Sequence, residues 1–289
     1  MKTIAVIGAG RLGTSLGFAL SHRGYAVAAI SDKTGSAARE SRDFIGQGAA
    51  LTDNIQAASR GEIIILSVPD DAIAAAAKEL ESSKLTWRGK LVFHCSGLHS
   101  SSLLQSLDER GALIASVHPS QSFPAKTRDP DAFQGVFFAI EGAGPALDAA
   151  GRIIGDLGGI AFIIQDENKP LYHAACSIAS NFIVALLDTS IALLQICGLD
   201  EETGKDILLP LVDRTLQNVK NINTSKALSG PIARGDRGSV ERHLSALKKH
   251  PAIRDIYVSL AFKALEIAVR NGQAGPDKAR AIKALLERE

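Results

Sequence analysis

The stretch VIGAGRLGTSLG, residues 6–17, decides the fold. It sets Gly8, Gly10 and Gly13 in the spacing of a dinucleotide-binding turn, a pattern that takes its meaning from its surroundings. Residues 4–7 before it are apolar and mostly β-branched, and Leu12, Leu16, Phe18 and Ala19 recur at helical spacing toward Gly24. The order is strand, turn, helix. Gly8 then makes the tight turn, Gly10 lets a pyrophosphate approach the backbone, and Gly13 lets the helix lie close on the strand. The helix, opened by Arg11 and Leu12, aims its unpaired amides and positive dipole end at a phosphate.

A second strand, residues 26–30, leads to Ser31, Asp32 and Lys33, where an adenosine ribose belongs. An acid there binds the ribose hydroxyls and suits NAD, whereas a small polar residue beside a cation suits NADP. Counting from Gly8 puts Ser31 at the acid's place and Asp32 one residue beyond, with Lys33 and Arg39 nearby, which tilts the balance to NADP with NAD the alternative. Residues 62–68, EIIILSV, form an apolar run between Gly61 and Pro69, the mark of a parallel strand covered on both faces. Asp70 and Asp71 read as caps of a helix over 72–80. Further strands are expected at 91–94, 113–117, 136–140 and 160–164, and a helix at 145–157. Val68, Pro69, Ser96 and Gly97 follow the carboxyl ends of strands, where open α/β sheets bind ligands. Together with Gly8, Gly10, Arg11, Leu12, Gly13, Ser31, Asp32 and Lys33 they are the candidate cofactor-binding residues.

This alternation predicts an α/β domain with a doubly wound, mainly parallel sheet over residues 1–165. From Lys169 onward only helical patterns follow, at 171–197, 201–223, 240–249 and 253–271, so an all-helical second domain is expected over 166–289. The cleft between the domains is the expected substrate site. A length of 289 residues, 46% of them hydrophobic, suits two packed cores, and a net charge of +1 gives no broad attraction for nucleic acid. The first strand begins almost at Met1, leaving no room for a secretion signal, so the cytoplasm is the expected compartment. Residues 180–199 are the most apolar long stretch, but Asp188, Thr189, Ser190 and Gln195 interrupt it. It falls short of the roughly 18 apolar residues of a membrane helix, so a buried helix and no membrane are expected. Cys95, Cys176 and Cys197 are dispersed and odd in number, as reduced core thiols are. His94, Cys95 and His99 lack a further ligand in their loop, and no metal is expected.

Three longer motifs, SVHPSQSFP (116–124), LYHAACSIASNF (171–182) and SGPIARGDRGSVERHLSAL (229–247), join the glycine turn. With them the chain resembles a family of oxidoreductases that combine a Rossmann-like NADP-binding domain with a helical domain of unknown function. That architecture is similar to pyrroline-5-carboxylate reductase, ketopantoate reductase and the 6-phosphogluconate dehydrogenase group. The resemblance covers essentially the whole chain and implies nicotinamide binding. Hydroxyacid dehydrogenases of this wider group carry a lysine and, four residues on, an asparagine on the first helix after the sheet. Here Asn181 matches the asparagine, and Ser177 stands in the lysine's place. His173, Ser177 and Asn181 fall on one helical face. A serine needs a neighbour to activate it, so His173 is the expected proton carrier.

His118 follows a strand's carboxyl end in a loop that Pro119 constrains, with Ser120 and Ser122 close by. Histidine suits a proton relay near neutral pH, so His118, His173, Ser177 and Asn181 are the catalytic candidates. Arg234 either grips a substrate carboxylate or phosphate or pairs with Asp236. Ser122, Arg234 and His243 are the substrate candidates. The reading is an NAD(P)-dependent oxidoreductase that moves a hydride between the cofactor and a small carbonyl, imine or hydroxy compound. The alternative is a dinucleotide-sensing or scaffold protein without turnover. A homodimer through the helical domain, around residues 182–194, is expected.

Overall fold

In a computed structural model, residues 2–222 and 224–287 of the chain are described. Two compact units divide at residues 181 and 182, so the first helix after the sheet goes with the sheet and not with the helices that follow, beyond the boundary expected at 165.

The first unit is built on an eight-stranded sheet: β1 (Thr3–Ile7), β2 (Ala26–Ser31), β3 (Ala49–Leu51), β4 (Ile63–Leu66), β5 (Leu91–His94), β6 (Leu113–Pro119), β7 (Phe137–Gly142) and β8 (Ile160–Ile163). Their order across the sheet is β3-β2-β1-β4-β5-β6-β7-β8. All neighbours are parallel except β6 and β7, so the expected mainly parallel, doubly wound sheet is what forms. The three-residue β3 is the one strand the sequence did not signal, because Ala-Ala-Leu is too short to show a period. Helices α1 (Arg11–Ser21), α2 (Gly35–Ile45), α3 (Asn54–Ser59), α4 (Ile73–Glu81), α5 (Gln105–Asp108) and α6 (Gly144–Asp156) connect the strands. Strand geometry sends alternate side chains to opposite faces. Ile4 and Val6 of β1 pack on one side with Leu16, Leu20 and Ile153, while Ala5 and Ile7 pack on the other with Ile64, Leu66, Leu80 and Trp87. Covering on both faces explains the unbroken apolar run of β4.

The helix expected over 171–197 is two helices, α7 (Lys169–Ala179) and α8 (Asn181–Ile196). Ser180 between them leaves helical geometry, with φ −123° and ψ −72°. No residue of α8 is buried in the chain, which corrects the expectation of a buried helix: apolar composition says that a helix seeks a cover, not where it finds one. By length and composition alone the stretch Asp166–Ile196, taken across the break at Ser180, is long and apolar enough to cross a membrane, with a mean hydropathy of 1.7 in its most apolar window.

The second unit continues with α9 (Glu201–Ile222), α10 (Thr224–Ala227), α11 (Pro231–Arg234), α12 (Arg237–Leu247), α13 (Pro251–Arg270) and α14 (Pro276–Leu286). Asn223, the expected end of α9, lies outside the described residues. Val240 and Leu244 of α12, Ala261 and Leu265 of α13, and Ile282 and Leu285 of α14 form its core.

Candidate active site

The glycine turn lies between β1 and β4, where the strand order changes direction and open sheets leave a crevice. Gly8 has φ +101°, and a Cβ there would lie 2.7 Å from the Ser67 carbonyl carbon, so both conformation and space demand glycine. A Cβ on Gly13 would fall 1.9 Å from Ser67 Oγ and 2.5 Å from Gly8 O, which fixes α1 tightly on the strand. Gly10 differs. A Cβ there would meet nothing nearer than 4.0 Å, so the chain itself leaves the space above it open. Gly10 also starts α1 with no side-chain cap, and Arg11, Leu12 and Gly13 form its first turn. Open space over uncapped amides is what an incoming phosphate needs.

At the tip of β2 the three candidates separate. Ser31 is fully buried, and its hydroxyl donates to Asn54 Oδ1 at 2.7 Å. Asp32 turns back to the glycine loop: Oδ2 accepts from the Ala9 amide at 3.0 Å and Oδ1 from the Thr34 amide at 2.9 Å. Lys33 is exposed. The carboxylate, not the serine, therefore occupies the mouth of the turn.

After β4, Val68 and Pro69 lead into a short 3-10 turn, Asp70–Ala72. Asp70 does not cap a helix as expected. Its Oδ2 accepts from Ser96 Oγ at 2.9 Å, and Ser96 Oγ in turn accepts from the Leu98 and His99 amides. The next residue, Gly97, lies under two imidazoles: a Cβ there would be 2.8 Å from His173 Cδ2 and 2.9 Å from His118 Nε2. His118 from β6 and His173 from α7 thus meet over the β5 turn, with ring centroids 5.9 Å apart.

Tyr172 completes the group. Its hydroxyl lies 2.8 Å from His118 Nδ1 and 2.7 Å from Ser120 Oγ. Burial pushes its pKa up to about 12. Burial, then the neighbouring His173 and Lys169, lowers that of His118 to about 4, so His118 is a neutral imidazole at neutral pH. Beneath the group, the fully buried Lys169 donates from Nζ to Ser116 Oγ at 2.8 Å and approaches Ser96 O at 3.4 Å. Neither Tyr172 nor Lys169 was singled out from the sequence. The signal was there: Lys169, Tyr172 and His173 stand at i, i+3 and i+4 of one helix.

The other candidates are distributed as follows. Ser177 is on α7, but the break at Ser180 places Asn181 at the start of α8, so the expected face of His173, Ser177 and Asn181 stops at Ser177. Ser122 is exposed in the loop after β6. Arg234 and His243 belong to the second unit, where His243 Nδ1 lies 3.0 Å from Tyr257 Oη. Asp236 there caps α12 by accepting from the Ser239 amide and hydroxyl. Of the three cysteines only Cys95 is a core thiol, its pKa raised to about 12 by burial; Cys176 is half-buried and Cys197 exposed. Among the described residues no group of three His, Cys, Asp or Glu side chains is placed to hold a metal.

Comparison with known proteins bears on the two domains and the fold. A Rossmann-like domain model matches residues 2–119, and a domain of unknown function, DUF2520, matches residues 136–264. The gap between them falls at the antiparallel junction of β6 and β7. No curated protein matches the chain. Among solved structures, a "putative NADP oxidoreductase" from Bacteroides fragilis is 25% identical with a TM-score of 0.78, the match covering 92% of this chain and 98% of that one. A Thermotoga maritima protein is 26% identical with a TM-score of 0.70, covering 93% and 99%. The same fold occurs in a reductive aminase from Aspergillus terreus solved with NADPH, 15% identical, TM-score 0.68, covering 99% of each chain. The chain thus joins a Rossmann-like domain to a DUF2520 domain.

Proposed function

We propose that the protein is an NADP-dependent oxidoreductase, with NAD the alternative cofactor, that reduces a small carbonyl or imine or oxidises the corresponding hydroxy compound or amine. The observation that carries this reading is the open space over Gly10 at an uncapped helix start, at the same end of the sheet as the neutral His118 and its partner Tyr172. The naming of solved neighbours as NADP oxidoreductase and as reductive aminase with NADPH supports it.

In this reading Gly8, Gly10 and Gly13 with the amides of Arg11 and Leu12 hold the pyrophosphate; Asp32 faces the adenosine ribose, a placement that by itself favours the alternative, NAD, while the naming of the neighbours favours NADP. Val68, Pro69, Ser96 and Gly97 line the strand ends where the nicotinamide would lie. A bound nicotinamide supplies the hydride. The chain's own task is the proton. Tyr172 Oη holds it, in a hydrogen bond to His118 Nδ1, while Ser120 Oγ gives the hydroxyl a second partner through which the proton is exchanged. Burial keeps His118 uncharged, so its ring takes the hydrogen bond of the Tyr172 hydroxyl while the proton stays on the phenol, available to the substrate.

Ser177 in place of a lysine favours a second reading, a dinucleotide sensor without turnover. Titration of the purified protein with NADPH and NADH, followed by the fluorescence of the bound reduced nicotinamide, tests both. Binding followed by turnover in a screen of small imines and ketones supports the enzyme. Binding without turnover favours the sensor, and binding of neither cofactor at millimolar concentration rejects both.

The assembly belongs to the same proposal. A homodimer covering α8 and α9 is supported by Phe182, Val184, Ile207 and Leu211, each at least half exposed, and the cytoplasm is proposed as its compartment on the sequence reading alone. A groove of about 410 Å³ runs between these two helices.

A further inference from the structure

We infer that Lys169 is a positioning residue for the His118–Tyr172 pair, holding the Ser96–Gly97 turn, β6 and α7 in one frame and placing a positive charge beneath the imidazole. The inference rests on the oxidoreductase reading for its purpose, but its geometry stands by itself. Lys169 has no exposed surface. Fully buried lysines are rare because an ammonium out of water is costly unless it is paired. No carboxylate lies within ion-pair distance of it among the described residues; its ammonium meets a hydroxyl and a carbonyl. It is also the first residue of α7, the end of a helix at which a cation is disfavoured by the dipole. Packing alone would be served better by methionine or leucine at this place.

Its two partners are the informative part. Ser116 is two residues before His118 on β6, and its hydroxyl also bridges to Ser96 O at 3.0 Å. Ser96 is the residue before Gly97, which both imidazoles touch. Tyr172 and His173 are three and four residues after Lys169 on the same helix. One ammonium therefore joins the three segments whose mutual distance sets the site. The charged and titratable groups around His118 are Tyr172, His173 and Lys169 from α7 and Asp70 from the turn after β4. Glu141 of β7, which accepts from the Ser101 amide and hydroxyl, Asp166 before α7 and Asp70 act on Lys169 as opposite charges. Burial lowers the pKa of Lys169 more than these carboxylates raise it, and Lys169 in turn lowers that of His118.

The test is the titration of the His118 imidazole by NMR in the full-length protein without cofactor, its resonance assigned with a His118→Asn variant. Lys169→Met removes the charge and the donors, and Lys169→Gln removes the charge but keeps an amide donor toward Ser116. In either folded variant the His118 midpoint is expected to rise by about half a unit or more, because a like charge has been taken away. A lysine that only fills space would leave the midpoint where it is, and an unchanged midpoint in either folded variant overturns the inference. If neither variant folds, the same coupling is read from the other side in the unaltered chain: the Lys169 side-chain resonances should shift at the His118 midpoint and lose that step in His118→Asn. A Lys169 signal that does not follow the His118 titration overturns the inference. NADPH fluorescence with the unaltered protein reads the oxidoreductase proposal separately.

Discussion

The Tyr172 hydroxyl stands 2.8 Å from His118 Nδ1 and 2.7 Å from Ser120 Oγ, so one phenol joins the end of β6 to the loop beyond it. Tyr172→Phe keeps the ring and its edge-on contacts with His118 and Phe162 while deleting the proton-bearing atom. Turnover should fall by about 10²-fold or more, with cofactor affinity unchanged within about twofold. Steady-state rates beside fluorescence titrations check this. Equal losses in both would instead place Tyr172 in cofactor binding.

The glycines of the turn should respond in opposite ways. Gly13→Ala drives a methyl into Ser67 and the Gly8 carbonyl and is expected to cost about 1–3 kcal/mol of stability. Gly10→Ala meets open space, so its urea midpoint should stay near the wild-type value. Its dinucleotide affinity should drop by about tenfold or more. Denaturation and binding curves on the same two proteins separate packing from ligand contact.

Asp32 holds a negative charge at the mouth of the turn through the Ala9 and Thr34 amides. Asp32→Asn preserves an acceptor for Ala9 and removes the charge. The ratio of NADPH to NADH affinity should rise by about tenfold, because a carboxylate repels the extra phosphate and receives ribose hydroxyls. An unchanged ratio would mean that the ribose lies elsewhere.

Buried neutral histidines also shape the acid limit of stability. His118 and His94 both titrate near 4, burial being the largest cause in each, against about 6.5 in an unfolded chain. Between those values the unfolded chain binds more protons than the folded one, so stability falls as pH drops from about 6.5 to about 4. Each histidine contributes on the order of 2 kcal/mol across that window. Urea midpoints measured along the pH axis should decline through it, and His118→Asn should flatten part of the decline.

Light scattering should give about twice the chain mass of 30.4 kDa. Val184→Glu with Leu211→Glu should yield monomer, since both side chains are more than 60% exposed in the single chain. A monomeric wild type would leave α8 in need of another cover.

The parts of the molecule that were legible in sequence are those governed by short-range rules. The glycine turn, the apolar run of β4 and the histidine after β6 each carry their meaning within a dozen residues. Lys169 does not. It follows QDEN, a run that looks solvated, and only the fold carries its side chain under β5 and β6. Ser116 reads as one polar step in an apolar strand, and its role appears only with its partner. The apolar pattern of α8 was equally visible, yet burial depends on a second surface that a single chain's pattern does not contain. Asp70 shows the same limit: its position beside a helix start suggested a cap, while the loop that claims its carboxylate comes 26 residues later.

Gly97 gives the site a property of a different kind. The gap between the two imidazoles is gauged by a bare α-carbon, with no rotamer to relax and no side chain to shrink or swell. The floor beneath both rings is thereby main chain, and any side chain grafted onto it would strike His118 and His173 together.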